Sequence, residues 1–478
     1  MRRARIVCTI GPATGSRKML KNLLTAGMDV ARLNMSHGSR EDHASHIARL
    51  RSLSRELGRP VGILMDLQGI KLRISEVEGT GVVLKKNTTV RIRQSARPTT
   101  AETIHIPYPG LVREVKKGHR VLINDGLVEL RITGKEGKTL LARVEQGGLL
   151  TSRKGVNLPE SDLRAGNLTA KDIEDLAFGV EQKVDAFALS YVADSADILA
   201  AKKRLSTAGY DVPVIAKIER PKGVENIEEI LDAADGIMVA RGDLGVEMPA
   251  SSVPILQKDL IRRANGKRRL IITATQMLES MTERPVPTRA ESADVANAIL
   301  DGTDAVMLSA ETSVGKFPVK AVRTMVRIIL ETEEKGRPFR AELPVPDPCV
   351  GKDQDPSSFA VADAAVRAAQ TIGGRCIAAV TRSGYTAGLL AKFRPQHPIV
   401  AFTPRPEVIN QLKLHWGVVP FLMKHLENTD IMIDEVERTL VENRQAKRGD
   451  DVIITASLPM AATGKTNFLK IHRVGNDR

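Results

Sequence analysis

Eight short apolar segments, spaced along the first two thirds of the chain, constrain the fold more than any other feature. Each is followed by a polar cluster and then by a segment with helical periodicity. The segments are too short for helices and too uniformly apolar for half-exposed strands, so they predict buried parallel strands. The predicted strands are Ile6–Ile10, Val30–Leu33, Val61–Met65, Ala186–Leu189, Val214–Ile218, Gly236–Ala240, Leu270–Ala274 and Ala305–Leu308.

The segments between these strands carry signals for helix starts and ends. A hydroxyl residue followed three positions later by an acidic residue is typical of a capping box, and glycine is typical of a helix C-terminus. These signals are Ser16 and Gly27 around the first helix, Thr169 with Asp172, Thr288 with Glu291, and the glycines Gly58, Gly209 and Gly302. Strand and helix alternating eight times predict a (β/α)8 TIM barrel.

Two regions depart from this alternation. Almost a hundred residues after the third strand show short alternating segments and many glycines, which indicate a β-rich inserted domain. An insertion at the carboxyl end of a barrel strand lies over the active-site face, so we expect a lid. A proline-rich linker precedes a second α/β region, which the pattern predicts to be a separate domain with a doubly wound sheet. The predicted domains are residues 1–69 with 167–340 (barrel), 70–166 (lid) and 350–478 (C-terminal domain).

Composition narrows the class of protein. The net charge of +14 and the pI near 9.7 fit a solvated basic surface, attraction of phosphorylated anions, or nucleic-acid binding. Aromatic residues make up only 3% of the chain, which argues against stacking on bases. Cys8, Cys349 and Cys376 are far apart, as expected in a reducing compartment. No segment is apolar over a membrane-spanning length. We therefore expect a cytoplasmic protein with neither nucleic-acid nor membrane partners.

Polar residues at the ends of the predicted strands supply the candidate chemistry, because the carboxyl ends of barrel strands face the active site. Metal-capable carboxylates and anion-binding cations dominate this set, and it contains no cysteine nucleophile. The set comprises Thr9, Arg32, Asn34, Ser36, Asp66, Ser190, Lys217, Glu219, Arg241, Asp243, Thr275, Ser309 and Glu311.

Lys217 and Glu219 form the sharpest local unit in this set. Residues two apart on a strand share a face, so both side chains can point into the barrel mouth. Asp243, placed by the sequence on the next strand, could join Glu219 around Mg²⁺, which prefers oxygen ligands. Gly242 beside it would let backbone N–H groups approach an anion closely. A simple lysine–glutamate ion pair and an ordinary turn glycine remain alternatives.

Four longer stretches together resemble the pyruvate kinase family. They are VCTIGPAT at 7–14, ARLNMSHG at 31–38, the segment from AKIERPKGVENI to DGIMVARGDLGVE within 216–247, and the segment from ITATQMLESM to DGTDAVMLSAET within 272–312. KGVNLPE at 154–160 and VTRSGYTA at 380–387 add to the resemblance, which covers nearly the whole chain. It implies phosphoryl transfer from phosphoenolpyruvate to ADP, giving pyruvate and ATP, and a homotetramer.

The resemblance also implies site residues. Glu219 and Asp243 would hold Mg²⁺ or Mn²⁺, and Asp125 would move toward the site when the lid closes. Whether Thr275 or a water gives the enolate its proton stays open. The substrate would be bound by Arg32, Lys217, Gly242, Asp243 and Thr275, catalysis would involve Lys217, Arg32, Thr275 and Arg73, and the nucleotide would lie near Arg73, Lys154, Asn34, His37 and Pro12.

One segment departs from the family pattern. The family usually has Asp-Thr-Lys-Gly-Pro-Glu-Ile-Arg where this chain has DLQGIKLR at 66–73, so Lys71 replaces a glutamate and Leu67 a threonine. Asn34, Ser36 and Asp66 match the family's potassium ligands. We expect Lys71 to bring a fixed positive charge to this region, so that K⁺ is not required. Two alternatives are that Lys71 points to solvent or that K⁺ still binds.

The C-terminal region contains a second candidate site. Hydroxyl and N–H groups at a helix start can bind phosphate, and the resemblance implies a sugar-phosphate effector there. An ordinary capped helix start is the alternative reading. The residues are Thr381, Arg382, Ser383, Gly384 and Thr386.

Two other functions compete with this assignment. A metal-dependent barrel lyase or aldolase acting on pyruvate-like enolates would also use Lys217, Glu219 and Asp243, but it would not need Arg73, Lys154 or a lid. A basic nucleic-acid-binding or regulatory protein would be expected to have damaged catalytic positions, and the matched positions are intact.

Overall fold

The computed structural model of the chain describes residues 2–161, 168–336, 355–424, 428–459 and 465–475. The first three barrel strands come before the insertion, each followed by a helix or by the insertion itself. The insertion is almost entirely β. In chain order the elements are β1 (Arg5–Thr9), α1 (Arg17–Ala26), β2 (Val30–Asn34), α2 (Arg40–Leu57), β3 (Gly62–Asp66), β4 (Val82–Leu84), β5 (Thr89–Arg93), β6 (Thr103–His105), α3 (Leu111–Glu114), β7 (Arg120–Ile123), β8 (Val128–Glu136), β9 (Thr139–Gln146), β10 (Gly148–Leu150) and β11 (Val156–Asn157).

The remaining barrel elements follow the insertion. They are α4 (Ala170–Glu181), β12 (Ala186–Leu189), α5 (Ser195–Thr207), β13 (Val214–Ile218), α6 (Pro221–Glu225), α7 (Ile227–Ala233), β14 (Gly236–Ala240), α8 (Arg241–Glu247), α9 (Val253–Gly266), β15 (Leu270–Ala274), α10 (Arg289–Leu300), β16 (Ala305–Leu308), α11 (Ala310–Ser313) and α12 (Pro318–Lys335). Eight parallel strands close in the order β1-β16-β15-β14-β13-β12-β3-β2. This confirms the predicted (β/α)8 barrel, whose strands match the apolar segments within a residue or two.

Local capping chemistry sets the helix boundaries that the sequence predicted. The Ser16 side chain accepts the Met19 N–H, and α1 ends at Gly27. Thr288 and Glu291 form a reciprocal capping box at α10. Because these bonds satisfy N–H groups that the helix itself leaves unpaired, they fix where each helix begins.

The insertion has its own core. Six strands form a sheet in the order β11-β7-β8-β9-β5-β6, and β10 pairs with β4 separately. Apolar side chains at alternate positions are buried, such as Val90 and Ile92 on β5 and Leu140, Ala142 and Val144 on β9. This period of two is what a sheet with one covered face requires.

The C-terminal region is a five-stranded sheet with helices on both faces. Its elements are α13 (Pro356–Ile372), β17 (Ile377–Val380), α14 (Tyr385–Lys392), β18 (Ile399–Thr403), α15 (Pro406–Gln411), β19 (Val418–Leu422), α16 (Thr429–Glu442), β20 (Asp451–Ala456) and β21 (Phe468–Arg473), with the sheet order β19-β18-β17-β20-β21. Ile377 and Ala379 face α13 and α14, whereas Ala378 and Val380 face α16. Four strands are parallel, and β21 is antiparallel to β20.

Contacts group the described chain into two compact units. One holds residues 1–65, 182–187 and 261–478, and the other holds residues 66–181 and 188–260. Cys8 and Cys376 are buried free thiols, and Cys349 lies outside the described residues. Among the helices that the structure describes, none has both the length and the apolar character needed to cross a membrane.

Candidate functional site

Lys217 is the centre of a buried polar cluster in the second unit. Its Nζ lies 2.8 Å from Oε1 of Glu219 and 3.2 Å from Oδ1 of Asp66. The same ammonium donates to Oγ of Ser190 at 2.6 Å, and the Ser190 hydroxyl donates to the Leu67 carbonyl at 2.7 Å. The predicted pairing of Lys217 and Glu219 on one side of their strand is therefore observed, as an ion pair.

Strand geometry explains how the cluster forms. Lys217 is the fourth residue of β13 and Glu219 follows its end, while Asp66 is the last residue of β3. Lys217 is 8% exposed and Glu219 2% exposed, so both charges are largely removed from water. Burying ionised groups is tolerated only when they are paired and hydrogen-bonded, as they are here.

Glu219 is buried, and two other carboxylates lie near it. Burial raises its pKa to about 7; the nearby Asp243 and Asp66 carboxylates act in the same direction, and the Lys217 ammonium opposes them. Oε2 of Glu219 accepts the Tyr191 N–H at 2.6 Å. Three carboxylates near one ammonium leave an excess of negative charge, which suits a divalent cation.

Asp243 reaches this cluster from a helix, which corrects the sequence prediction. Residues 241–243 were expected on a strand, but the strand β14 ends at Ala240 and Arg241 begins the short helix α8. Buried Leu244 anchors this turn. Gly242 and Asp243 therefore lie in the first turn of α8.

The residues present fit a hard cation with an incomplete protein shell. Within the ranges that the structure describes, no three His, Cys, Asp or Glu side chains form a metal-holding group. Mg²⁺ commonly takes one or two carboxylates and completes its shell with waters and substrate phosphates. Glu219 and Asp243 are the two residues of the predicted metal site that would supply such a partial set.

The lid residues of the predicted site lie on paired segments of the insertion. Arg73 and Gly155 form an antiparallel bridge, and Arg73 Nη1 donates to the Arg153 carbonyl at 2.9 Å. The Lys154 carbonyl accepts the Ile74 N–H at 3.0 Å. These contacts bring the segments carrying Arg73 and Lys154 side by side.

Asp125 lies at the tip of a turn in the insertion. It is exposed, and Asn124, Asp125 and Gly126 all have positive φ angles. This conformation is tolerated by asparagine, aspartate and glycine, so the Asn-Asp-Gly sequence explains the turn.

The first unit holds the other predicted substrate and nucleotide residues. Arg32 on β2 is 8% exposed, and its Nη1 donates to Oγ1 of Thr9 on β1 at 2.9 Å. Asn34 Oδ1 accepts the Ser36 N–H at 3.1 Å. His37 is exposed on the turn that follows β2, and Pro12 is exposed after β1.

The turn after β15 is strained. Thr275 has φ +67° and the next residue, Gln276, has φ +53°. A β-branched residue with positive φ is an outlier that costs about 1–3 kcal/mol and is concentrated at functional sites. Glu311 holds the loop by accepting the N–H groups of Leu278 and Ser309 at 3.0 and 2.7 Å. The fold therefore maintains Thr275 in this conformation.

The C-terminal turn has the predicted strand-to-helix geometry. Thr381 Oγ1 accepts the Gly384 N–H at 3.0 Å, and Gly384 has φ +86° before α14. Arg382 and Ser383 are exposed. Thr386 is buried, and its hydroxyl shares a 2.5 Å hydrogen bond with the Thr466 hydroxyl.

The comparisons with known proteins cover the whole chain. A family model described as pyruvate kinase, barrel domain, matches residues 1–322. The chain belongs to the pyruvate kinase family. A second model, pyruvate kinase, alpha/beta domain, matches residues 359–472. Membership of this family identifies the chain as a phosphotransferase enzyme of glycolysis.

Individual relatives agree with the family models. A pyruvate kinase of Mycobacterium tuberculosis (strain ATCC 25618 / H37Rv) is 42% identical over 476 residues, covering 100% of this chain and 99% of the relative. One from Geobacillus stearothermophilus is 42% identical over 480 residues, covering 99% of this chain and 81% of the relative. The crystal structure of a pyruvate kinase from Cryptosporidium parvum has a TM-score of 0.92 and 33% identity, covering 99% and 96% of the two chains.

Three residues beside the Lys217 cluster were not singled out from the sequence. Tyr191 has φ +58° and binds Glu219 through its N–H, while Arg220 and Glu247 form a buried ion pair beside the acidic cluster. Glu247 was detectable in principle, because it lies four residues after Asp243 and so shares a face of any helix formed there. Tyr191 carried no comparable sequence signal.

Proposed function

We propose that this enzyme transfers the phosphoryl group of phosphoenolpyruvate to ADP, producing pyruvate and ATP. The observation that carries the proposal is the Lys217 cluster: one buried ammonium with Glu219 and Asp66, and Asp243 nearby. Phosphoryl transfer depends mainly on positioning and on neutralising charge, and this cluster offers both. The direct test is pyruvate formation that requires both phosphoenolpyruvate and ADP; a lyase or aldolase would not form ATP.

Each side chain has a proposed part in this reaction. Arg32 holds the substrate phosphate, and the Lys217 ammonium stabilises negative charge on the transferring group and on the enolate oxygen. Gly242 and Thr275 receive the substrate carboxylate. A bound Mg²⁺ or Mn²⁺ would neutralise phosphate charge, held by Glu219 and Asp243. The final proton reaches the enolate carbon from Thr275 or from a water.

We further propose that residues 70–166 act as a lid that carries Arg73, Lys154 and Asp125 to the nucleotide. The support is that this insertion has its own hydrophobic core and so can move as a body. Asn34, His37 and Pro12 complete the proposed nucleotide site. The domain boundaries, which rest on the sequence pattern, and the cytoplasmic location, which rests on composition, stay predictions. The homotetramer, which the family resemblance implies, also stays a prediction.

Removing either proposed metal carboxylate should change the metal dependence. We expect Glu219→Gln and Asp243→Asn each to raise the Mg²⁺ concentration for half-maximal activity at least about tenfold, or to abolish turnover. Titrating Mg²⁺ at saturating substrates measures the effect. Glu225→Gln is the matched control, because Glu225 pairs with Lys222 on the surface. Unchanged metal dependence in both variants would remove the proposed site.

The proposed independence from K⁺ rests on two residues at the start of the insertion. Leu67 is a buried apolar side chain where the family usually has a hydroxyl. Lys71 is exposed, which the alternative of a solvent-facing Lys71 also expects, so the proposal needs a direct test. We expect similar initial rates in K⁺ and in a large organic cation at fixed ionic strength. Activation by K⁺ of about tenfold or more would contradict the proposal.

Lys71→Glu provides the converse experiment. If the Lys71 ammonium takes the place of K⁺, this variant should be nearly inactive without K⁺ and regain activity with it. Lys138→Glu, an exposed charge reversal elsewhere in the insertion, controls for net charge. Full activity of Lys71→Glu without K⁺ would show that the ammonium is dispensable.

A sugar phosphate is the proposed effector at Thr381, Arg382, Ser383, Gly384 and Thr386. The exposed side chains are the useful targets, because the Thr386 hydroxyl is bonded to Thr466. Arg382→Ala with Ser383→Ala should abolish the increase in rate that a sugar phosphate produces in the unmodified enzyme. The measured quantity is the ratio of rates with and without effector. An unchanged ratio would place the effector elsewhere. Residues 460–464 lie outside the described residues.

A further inference from the structure

The last residue of α8 is held by the insertion at two points. Nδ2 of Asn157, on β11, donates to Oε1 of Glu247 at 2.9 Å. Nη2 of Arg120, on β7, donates to the main-chain carbonyl of Glu247 at 3.3 Å. Glu247 is only 3% exposed. Two strands of the insertion therefore contact one end of the helix that carries Asp243.

Arg220 adds a second connection at the same place. Its Nη2 donates to the Ser161 carbonyl at 2.8 Å, where the chain leaves β11, and its Nε lies 3.6 Å from Oε2 of Glu247. Within the part of the chain that the structure describes, that oxygen accepts no hydrogen bond, so the Arg220 guanidinium compensates its buried charge. Arg220 directly follows Glu219, so the return segment of the insertion is tied to both proposed metal-binding segments.

The geometry of α8 allows Glu247 to act on Asp243. The two residues are four positions apart in a helix of seven residues, on the same face and one turn from each other. One helical turn, about 5.4 Å long, connects the two residues. This short connection gives a route by which a displacement at Glu247 can reach Asp243.

On the insertion side, the contact belongs to the segment that organises the proposed nucleotide residues. Gly155 bridges Arg73, and its carbonyl accepts the Asn124 N–H at 3.0 Å. Asn157, two residues further, makes the contact with α8. The segment that bears Lys154 thus joins Arg73, the turn with Asp125, and α8.

We propose that Glu247 is a positioning residue that couples the insertion to α8, so that the placement of Asp243 depends on the placement of Lys154 and Arg73. The inference rests on the proposed metal role of Asp243. It implies that binding of metal and binding of nucleotide assist each other, because each favours the same arrangement of α8 and β11.

Kinetics provide the first test. We expect Glu247→Ala and Asn157→Ala each to raise both the half-saturating Mg²⁺ concentration and the KM for ADP about tenfold, with a smaller change in the KM for phosphoenolpyruvate. The double variant should be little worse than either single one, because both remove the same contact. Glu247→Gln keeps an acceptor for Asn157 and should recover part of the loss. Glu76→Ala, which removes an exposed ion pair with Arg153 in the insertion, should change neither quantity.

Hydrogen exchange on the enzyme without metal or substrate provides a readout that is independent of turnover. In Asn157→Ala, amide protection should fall both in 154–158 and in 241–247. A lowered thermal midpoint with unchanged Mg²⁺ and ADP dependence would show a merely structural contact and overturn the proposal, as would loss of protection in the insertion alone. If instead Asp243→Asn leaves metal dependence unchanged, the metal assignment fails, while the exchange result still decides whether the coupling exists.

Discussion

Lys217→Met should lower kcat by about 100- to 1,000-fold while changing the KM for phosphoenolpyruvate much less. The ammonium is needed most when negative charge develops on the transferring group and the enolate oxygen, so its loss affects the transition state more than the bound substrate. Steady-state rates at saturating Mg²⁺ and ADP measure this difference.

The structure adds a second effect that the experiment must separate. Lys217 is also the counter-ion of Glu219 and Asp66, so its removal leaves buried carboxylates without their ammonium. The thermal midpoint of unfolding should therefore be measured alongside the rates. The value of kcat should be calculated per molecule of folded enzyme. Lys222→Met, at an exposed lysine paired with Glu225, is the control. A near-normal kcat for Lys217→Met would eliminate its catalytic role.

Asp304→Asn should have the largest effect on stability. Asp304 is 1% exposed and lies 2.5 Å from Nζ of Lys392 and 2.7 Å from Nη1 of Arg394, while Oδ2 also accepts the Ile271 N–H at 2.9 Å. Breaking a buried pair by removing one partner costs about 3–5 kcal/mol, because the other charge stays buried. The shift in urea and thermal midpoints measures the loss. Lys392→Met together with Asp304→Asn should be less destabilising than Asp304→Asn alone.

The ion pairs of Asp304 with Lys392 and Arg394 also predict that the stability of the fold depends on pH. Burial acts to raise the pKa of Asp304, but Lys392 and Arg394 outweigh it and lower the pKa to about 2. Since the folded-state pKa is below the ordinary value of about 3.8, the stabilisation is present above pH 4 and is lost as pH falls toward 2. Glu331→Gln, which removes an exposed pair with Lys335, should leave the midpoints almost unchanged, because solvent screens this pair. An Asp304→Asn variant as stable as the unmodified enzyme would contradict the argument.

The barrel could be predicted from the sequence because its signals are local. Each buried strand reads as a short apolar run, and caps such as Ser16 and the Thr288–Glu291 box fix helix starts through bonds within a few residues. Lys217 and Glu219 were placed together for the same reason, since strand geometry alone puts them on one face. The family motifs then supplied the reaction.

One local prediction failed and one strand was not predicted, both for physical reasons. No strand was predicted at β19, whose sequence VVPFL contains Pro420; β19 is an edge strand, where a missing N–H is tolerated. Residues 241–243 were expected on a strand, but they begin the seven-residue helix α8, which is too short for helical periodicity to appear in the sequence.

Contacts between distant segments were decided only by the tertiary structure. Asp66 meets Lys217, Asp304 meets Lys392, and Asn157 meets Glu247 across separations of roughly ninety residues or more. The sequence alone determined which residues carry charge and which elements bear them. The pairing of these charges depended on packing. Burial makes an unpaired charge costly, and only the folded arrangement of strands decides which partner lies within reach.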